Sequence, residues 1–188
     1  MNSELNPAHA AIIKGTQIWL EKAVIGLNLC PFAKAVQIKN QIRYVVSDAT
    51  NAEALLADLL QELHLLYDSD AELLDTTLLI HPAVLMDFLD YNDFLDVADA
   101  AAAEPEFDEQ LQIASFHPQF QFADTAVDDI ENYTNRSPYP MLHLLREASV
   151  ARAVAVFPQA EQIYQKNIDT LRQLGHAGWQ QLFENSSS

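Results

Sequence analysis

The sequence predicts a helix-rich α/β fold: a small, mostly parallel sheet of about three strands, flanked by five helices. Three observations carry that prediction. Apolar, strand-like runs at 41–47, 74–80 and 110–116 alternate with helical patterns. Strand–helix–strand alternation implies right-handed crossovers and hence parallel strands. The chain has 188 residues with 49% hydrophobic content, enough to bury one sizeable core. A single α/β domain over 1–184 is therefore expected, with 185–188 as a disordered tail.

Residues 8–25 read as a helix, with Ile12, Ile13, Trp19, Leu20 and Ala23 at roughly helical spacing and Gly26 placed to end it. Asn28-Leu29-Cys30-Pro31-Phe32 follows, where Pro31 keeps Cys30 out of helical geometry. Ile42, Tyr44, Val45 and Val46 build the first strand. Asp48 or Thr50 can cap a helix over about 51–67, whose Leu55, Leu56, Leu59, Leu60, Leu63 and Leu66 form one apolar face.

Leu74 to Ile80 is the second strand, ended by His81-Pro82. A helix over about 84–103 turns Leu85, Phe88, Leu89 and Leu95 inward. Its Asp87, Asp90, Asp93, Asp96 and Asp99 recur every third residue, a spacing that drifts around the helix as a solvated acidic surface. It lacks the glycine of a calcium loop. Gln110 to Phe116 is the third strand, ended by His117-Pro118. After a polar loop, Ser137-Pro138 opens a helix to about 152, with proline where a missing N–H costs nothing. The last helix, about 159–183, packs Ile163, Tyr164, Ile168, Leu171 and Leu174 and is broken at Gly175.

Charge narrows the function classes. The chain carries 27 acidic and 10 basic residues, a net charge of −17. Tyr44 to Asn135 holds 21 acids and no Lys or Arg, so phosphate backbones and anionic membranes would be repelled. The acidic excess itself reads first as a solubilising surface, with a basic protein partner or cations as the alternatives, and a small anionic molecule remains open at a local basic site. None of the four glycines lies between Gly26 and Gly175, which excludes a P-loop or a Gly-rich dinucleotide site. The cofactor is unknown, with a divalent metal left open. Cys30 is the only cysteine, which suits a reducing compartment. Asn2, Ser3, Glu4 and Asn6 break any signal-peptide pattern, and no run approaches the ~20 apolar residues of a membrane span. The expectation is the cytoplasm.

NLCPFA (28–33), the two strand-end His-Pro pairs, ASFHPQFQFA (114–123) and NYTNRSPYPMLHLLRE (132–147) together resemble the bacterial family catalogued as domain of unknown function 1415. The resemblance covers nearly the whole chain and implies no reaction. Its motifs point to Cys30, His117, Asn132, Asn135, Arg136, Ser137, His143 and Glu147 as positions of interest.

Phe116 to Glu147 is the stretch where chemistry is expected, because a long aperiodic loop dense in polar groups is more than a connector. His117 sits at a strand end followed by Pro118, Phe120 and Phe122, rings that can exclude water and move its pKa. His81 has the matching position one strand earlier. In adjacent parallel strands the two tips would lie ~5 Å apart, and with one strand between them ~10 Å, on the edge where open α/β sheets bind ligands. Asn132, Asn135, Arg136 and Ser137 line the predicted helix entry, which with the Arg136 guanidinium would bind an anion. The alternative is that Arg136 pairs with Asp128, Asp129 or Glu131. His143 and Glu147, with Arg146 beside them, fall i,i+4 on the predicted helix. They fit a surface pair, an acid–base couple or a metal pair. Cys30 fits packing or, with His81, His117 and His143, a metal or redox site.

Three functions compete. The first is an enzyme on a small carboxylate or phosphate, with Arg136 as clamp and His117 or His143 with Glu147 as acid–base. The second is a metal or redox protein built on Cys30 and the histidines. The third is an interaction module with an acidic surface.

Overall fold

The computed structural model describes residues 6–107, 109–156 and 162–184. The expected tail at 185–188, and the start of the last predicted helix at 159–161, lie outside them. Helix α1 (Pro7–Trp19) runs into a π-helical turn, Leu20–Ile25. Then come α2 (Ala33–Ile38), β1 (Ile42–Val46), α3 (Ala52–Asp68), β2 (Thr76–Ile80) and α4 (Phe88–Ala102). The order continues with β3 (Leu111–Phe116), β4 (Met141–Arg146), α5 (Glu147–Val156) and α6 (Ile163–Glu184). No helix among the described residues is long and apolar enough to cross a membrane.

The α/β class and the helix-rich balance match the expectation. The sheet does not: it has four strands in the order β1-β2-β4-β3 and is mixed. β1 and β2 are parallel, whereas β4 runs antiparallel to both β2 and β3. The extra strand is the segment that reads as a helix from 137 to 152. Pro140 stands directly before Met141, so Tyr139 is driven to extended backbone and a helix cannot pass through. MLHLLR then forms a central strand with residues buried on both faces. Such a strand shows an unbroken apolar run that periodicity cannot separate from a helix. The helix begins only at Glu147.

Helices cover both faces of the sheet. Leu55, Leu59, Leu63 and Leu66 of α3 and Tyr91, Phe94, Ala98 and Ala101 of α4 pack on Leu79, Leu111, Leu142 and Leu144. Each fully buried leucine contributes ~1.5–3 kcal/mol, an upper bound given residual burial in the unfolded chain. Trp19, Leu20, Ala23 and Val24 cover Leu78, Ile80 and Met141 on the other face, joined by Trp179, Leu182 and Phe183 of α6.

Several boundaries differ for local reasons. The α3 cap is Asn51, whose side chain accepts from Ala54 N at 2.9 Å. α4 starts at Phe88 rather than 84, because Leu85 has φ 54° and Asp87 caps the helix, accepting from Leu89 N and Asp90 N. Leu89, expected inward, is therefore exposed, and Tyr91 and Phe94 take the core positions. Gly26 ends the first helix without left-handed backbone: a Cβ there would meet Lys22 O at 2.2 Å. Gly175, with φ 66° and ψ 173°, interrupts α6 where a break was expected.

Candidate histidine–arginine site at the sheet edge

His81 and His117 follow the last residues of β2 and β3, strands that share a direction with β4 between them. Both are fully buried on the α4 face. Tyr91 joins them, its ring centroid 5.8 Å from that of His81 and 5.0 Å from that of His117. The Tyr91 hydroxyl donates to Met141 O at 2.9 Å and accepts from Phe116 N at 3.1 Å, tying α4 to the ends of β3 and β4. Phe88 and Phe120 close the cluster, with Phe88 5.5 Å from His117 and 5.3 Å from Phe120. Tyr91 and Phe88 carry no sequence signal of this role; they read only as apolar positions of an amphipathic helix.

Two adjacent carbonyls hold the imidazoles. His81 Nδ1 lies 3.0 Å from Val84 O, and His117 Nε2 lies 3.1 Å from Leu85 O. Gln119 N donates to His117 Nδ1 at 3.0 Å, which puts the His117 proton on Nε2. By the same logic His81 donates from Nδ1, and its Nε2 lone pair is buried with no hydrogen-bond partner among the described residues. Burial pushes the His81 pKa down to about 4, helped by the neighbouring His117 and opposed by the Val84 carbonyl. Burial lowers His117 too, against the Leu85 and Met86 carbonyls and Asp87. Burial also pushes the Tyr91 hydroxyl well above the usual phenol range. At neutral pH the cluster is two uncharged imidazoles, one with an uncommitted basic nitrogen.

Arg136 lies against the turn that follows His117. Phe120 N donates to His117 O at 3.1 Å, and Phe120 O accepts from Arg136 Nε at 3.1 Å. A second guanidinium nitrogen donates to Val127 O at 2.7 Å, and the group stacks 4.5 Å from the Tyr133 ring centroid. No carboxylate among the described residues forms an ion pair with it; Glu131 pairs instead with Arg172 at 2.7 Å. No helix starts at Ser137, so the expected helix N-terminus is absent and Ser137 Oγ donates to Tyr139 O.

The asparagines shape the loop. Asn132 is fully buried; its Oδ1 accepts from Phe122 N and Thr125 Oγ1, and its Nδ2 donates to Ala126 O at 2.8 Å. Asn135 Nδ2 donates to Ser115 O, and its carbonyl accepts from His117 N. Both amides therefore fix the backbone that carries His117 and Arg136.

His143, Glu147 and Arg146 lie elsewhere. Because 141–146 is a strand, His143 and Glu147 are not i,i+4 on a helix. His143 pairs in register with Leu78 and Ala114 on the face opposite His81, and its Nε2 lies 2.7 Å from Thr76 Oγ1. Burial pushes its pKa down to about 4. Arg146 donates to Leu66 O in the last turn of α3 and to Ser69 O and Leu74 O just beyond it. Glu147 is exposed. Cys30 packs in the α1-side cluster, so Cys30, His81, His117 and His143 do not converge. No group of three or more His, Cys, Asp or Glu among the described residues could hold a metal ion.

A cleft of about 390 Å³ opens at the end of β1, lined by Ser47, Asp48, Asp58 and Glu62 but by neither strand-end histidine. Its acids are engaged: Arg43 holds Glu62 at 2.7 and 3.1 Å, and Ser47 donates to Asp58. An anion would be repelled there, so Arg136 is the better candidate for an anionic ligand.

Comparison with known proteins adds the family alone. A family model described as protein of unknown function (DUF1415) matches residues 11–181. No curated protein and no solved structure matches.

Proposed function

The chain belongs to the DUF1415 family, and from the geometry of its sheet edge we propose that it is an enzyme acting on a small carboxylate or phosphate substrate. The observation that carries this reading is Arg136. In a molecule of net charge −17, its guanidinium is held by two neutral carbonyls and a tyrosine ring. Among the described residues no carboxylate forms an ion pair with it, which leaves its charge available to an anion.

His117 sits one turn away through Phe120, and His81 Nε2 supplies a neutral base whose low pKa keeps it unprotonated at physiological pH. In this reading Arg136 orients the anion and His81 takes a proton from the substrate. His117 and the rings of Phe88, Tyr91 and Phe120 keep water away.

The test is thermal stabilisation by acetate, succinate, inorganic phosphate and a phosphomonoester. Arg136→Gln keeps a donor for a loop carbonyl and removes the charge, whereas Arg136→Ala would also cost ~1–3 kcal/mol by stranding carbonyls. At least one of the four anions is expected to raise the wild-type Tm and to leave that of Arg136→Gln unmoved. No shift in the wild type, or an equal shift in both proteins, sinks the proposal.

A further inference from the structure

The outer face of α4 combines two large exposed apolar side chains, with a third just ahead of the helix, and a row of acids without a Lys or Arg in the helix. Leu89 is 71% exposed, Met86 just before the cap 53%, and Val97 42%. At 3.6 residues per turn, Leu89, Asp93, Asp96 and Val97 fall within an arc of about 100°, opposite the buried Tyr91, Phe94 and Ala98. Asp90 and Asp99 flank that arc, and both are exposed. Exposed apolar residues scattered singly would need no explanation, but Leu89 and Val97 share one helix face, with Met86 just ahead of the helix.

Charge selects the occupant. The surrounding stretch, Tyr44 to Asn135, has 21 acids and no Lys or Arg. A second copy of the chain would bring another −17 against the same face. Nucleic acid and anionic lipid are repelled in the same way. We infer that this face docks an amphipathic helix of another protein, with Lys or Arg placed beside its apolar stripe. The apolar side chains of α4 give contact area, and the aspartates give register and encounter rate.

The experiment is fluorescence anisotropy on the full chain with a labelled amphipathic helical peptide of Leu and Lys. Leu89→Ser and the pair Asp93→Asn with Asp96→Asn lie on the solvent side, so folding is not at stake. Each is expected to weaken binding by about tenfold or more, and added salt should weaken it further. Leu65→Ser, on the outside of α3, should leave binding unchanged. The inference is overturned if the peptide does not bind, or if Leu89→Ser binds as the wild type does. It is overturned equally if polylysine without an apolar stripe binds as tightly. Concentration-dependent self-association that Leu89→Ser abolishes, read by sedimentation, would assign the face to a second copy instead.

Discussion

Asn132 shows how much of the site depends on groups that touch no ligand. From a short 3-10 turn, Ile130–Thr134, its amide satisfies Phe122 N, Thr125 Oγ1 and Ala126 O in the loop that precedes it. Asn132→Ala removes all three partners at once from a fully buried position. The expected cost is about 3 kcal/mol, read as a lower urea midpoint. An unchanged midpoint would mean that the loop does not need this amide. The sequence marks Asn132 only by family resemblance, because a buried amide and a ligand-binding amide are written with the same letter. His117 and Arg136 are legible for a firmer reason: one ends a strand before proline, and the other is the first base after a long acidic stretch. Their partners, the carbonyls of Leu85, Phe120 and Val127, are backbone atoms that any residue supplies.

Among the elements, three of the four strands are readable and the central β4 is not. Strands at 42–46, 76–80 and 111–116 stand within two residues of expectation because strand-forming runs end at polar or His-Pro signals. β4 fails because Pro138 imitates a helix start, and because a strand covered on both faces has no polar alternation to betray it. That one misreading also displaces His143 and Glu147 from the site. Arg146 then acquires a role no helix would have given it, capping the end of α3 through Leu66 O and Ser69 O. A cation there also meets the negative end of the helix dipole. Arg146→Met should cost ~2 kcal/mol, and Arg146→Lys should recover only part of it, since a lysine cannot fork across several carbonyls. Thermal melts of the three proteins check this; a Lys variant as stable as the wild type counts against the fork.

For the whole molecule, acid is the informative perturbation. His81 and His143 have pKa values of about 4 in the fold, against ~6.5 in an unfolded chain, and His117 is lowered too. Above that upper value neither state binds the protons and the contribution is nil. Below it the unfolded chain takes up protons that the fold refuses. Stability therefore falls as pH falls from ~6.5 towards 4, where the folded rings begin to protonate and the slope fades. By pH ~5 the loss is on the order of 2 kcal/mol for each of the two deeply shifted rings. Urea midpoints at pH 7 and 5 measure the drop, and a flat profile would contradict the burial of the imidazoles. Leu85 gives those protons a shared consequence. With φ at 54°, a conformation rare for leucine, Leu85 sits in the two-residue segment whose consecutive carbonyls, Val84 O and Leu85 O, hold the two imidazoles. Relaxing that single residue would withdraw the acceptors of both imidazoles together. In the proposed reading, access to the His81 lone pair would then depend on one backbone torsion rather than on either ring.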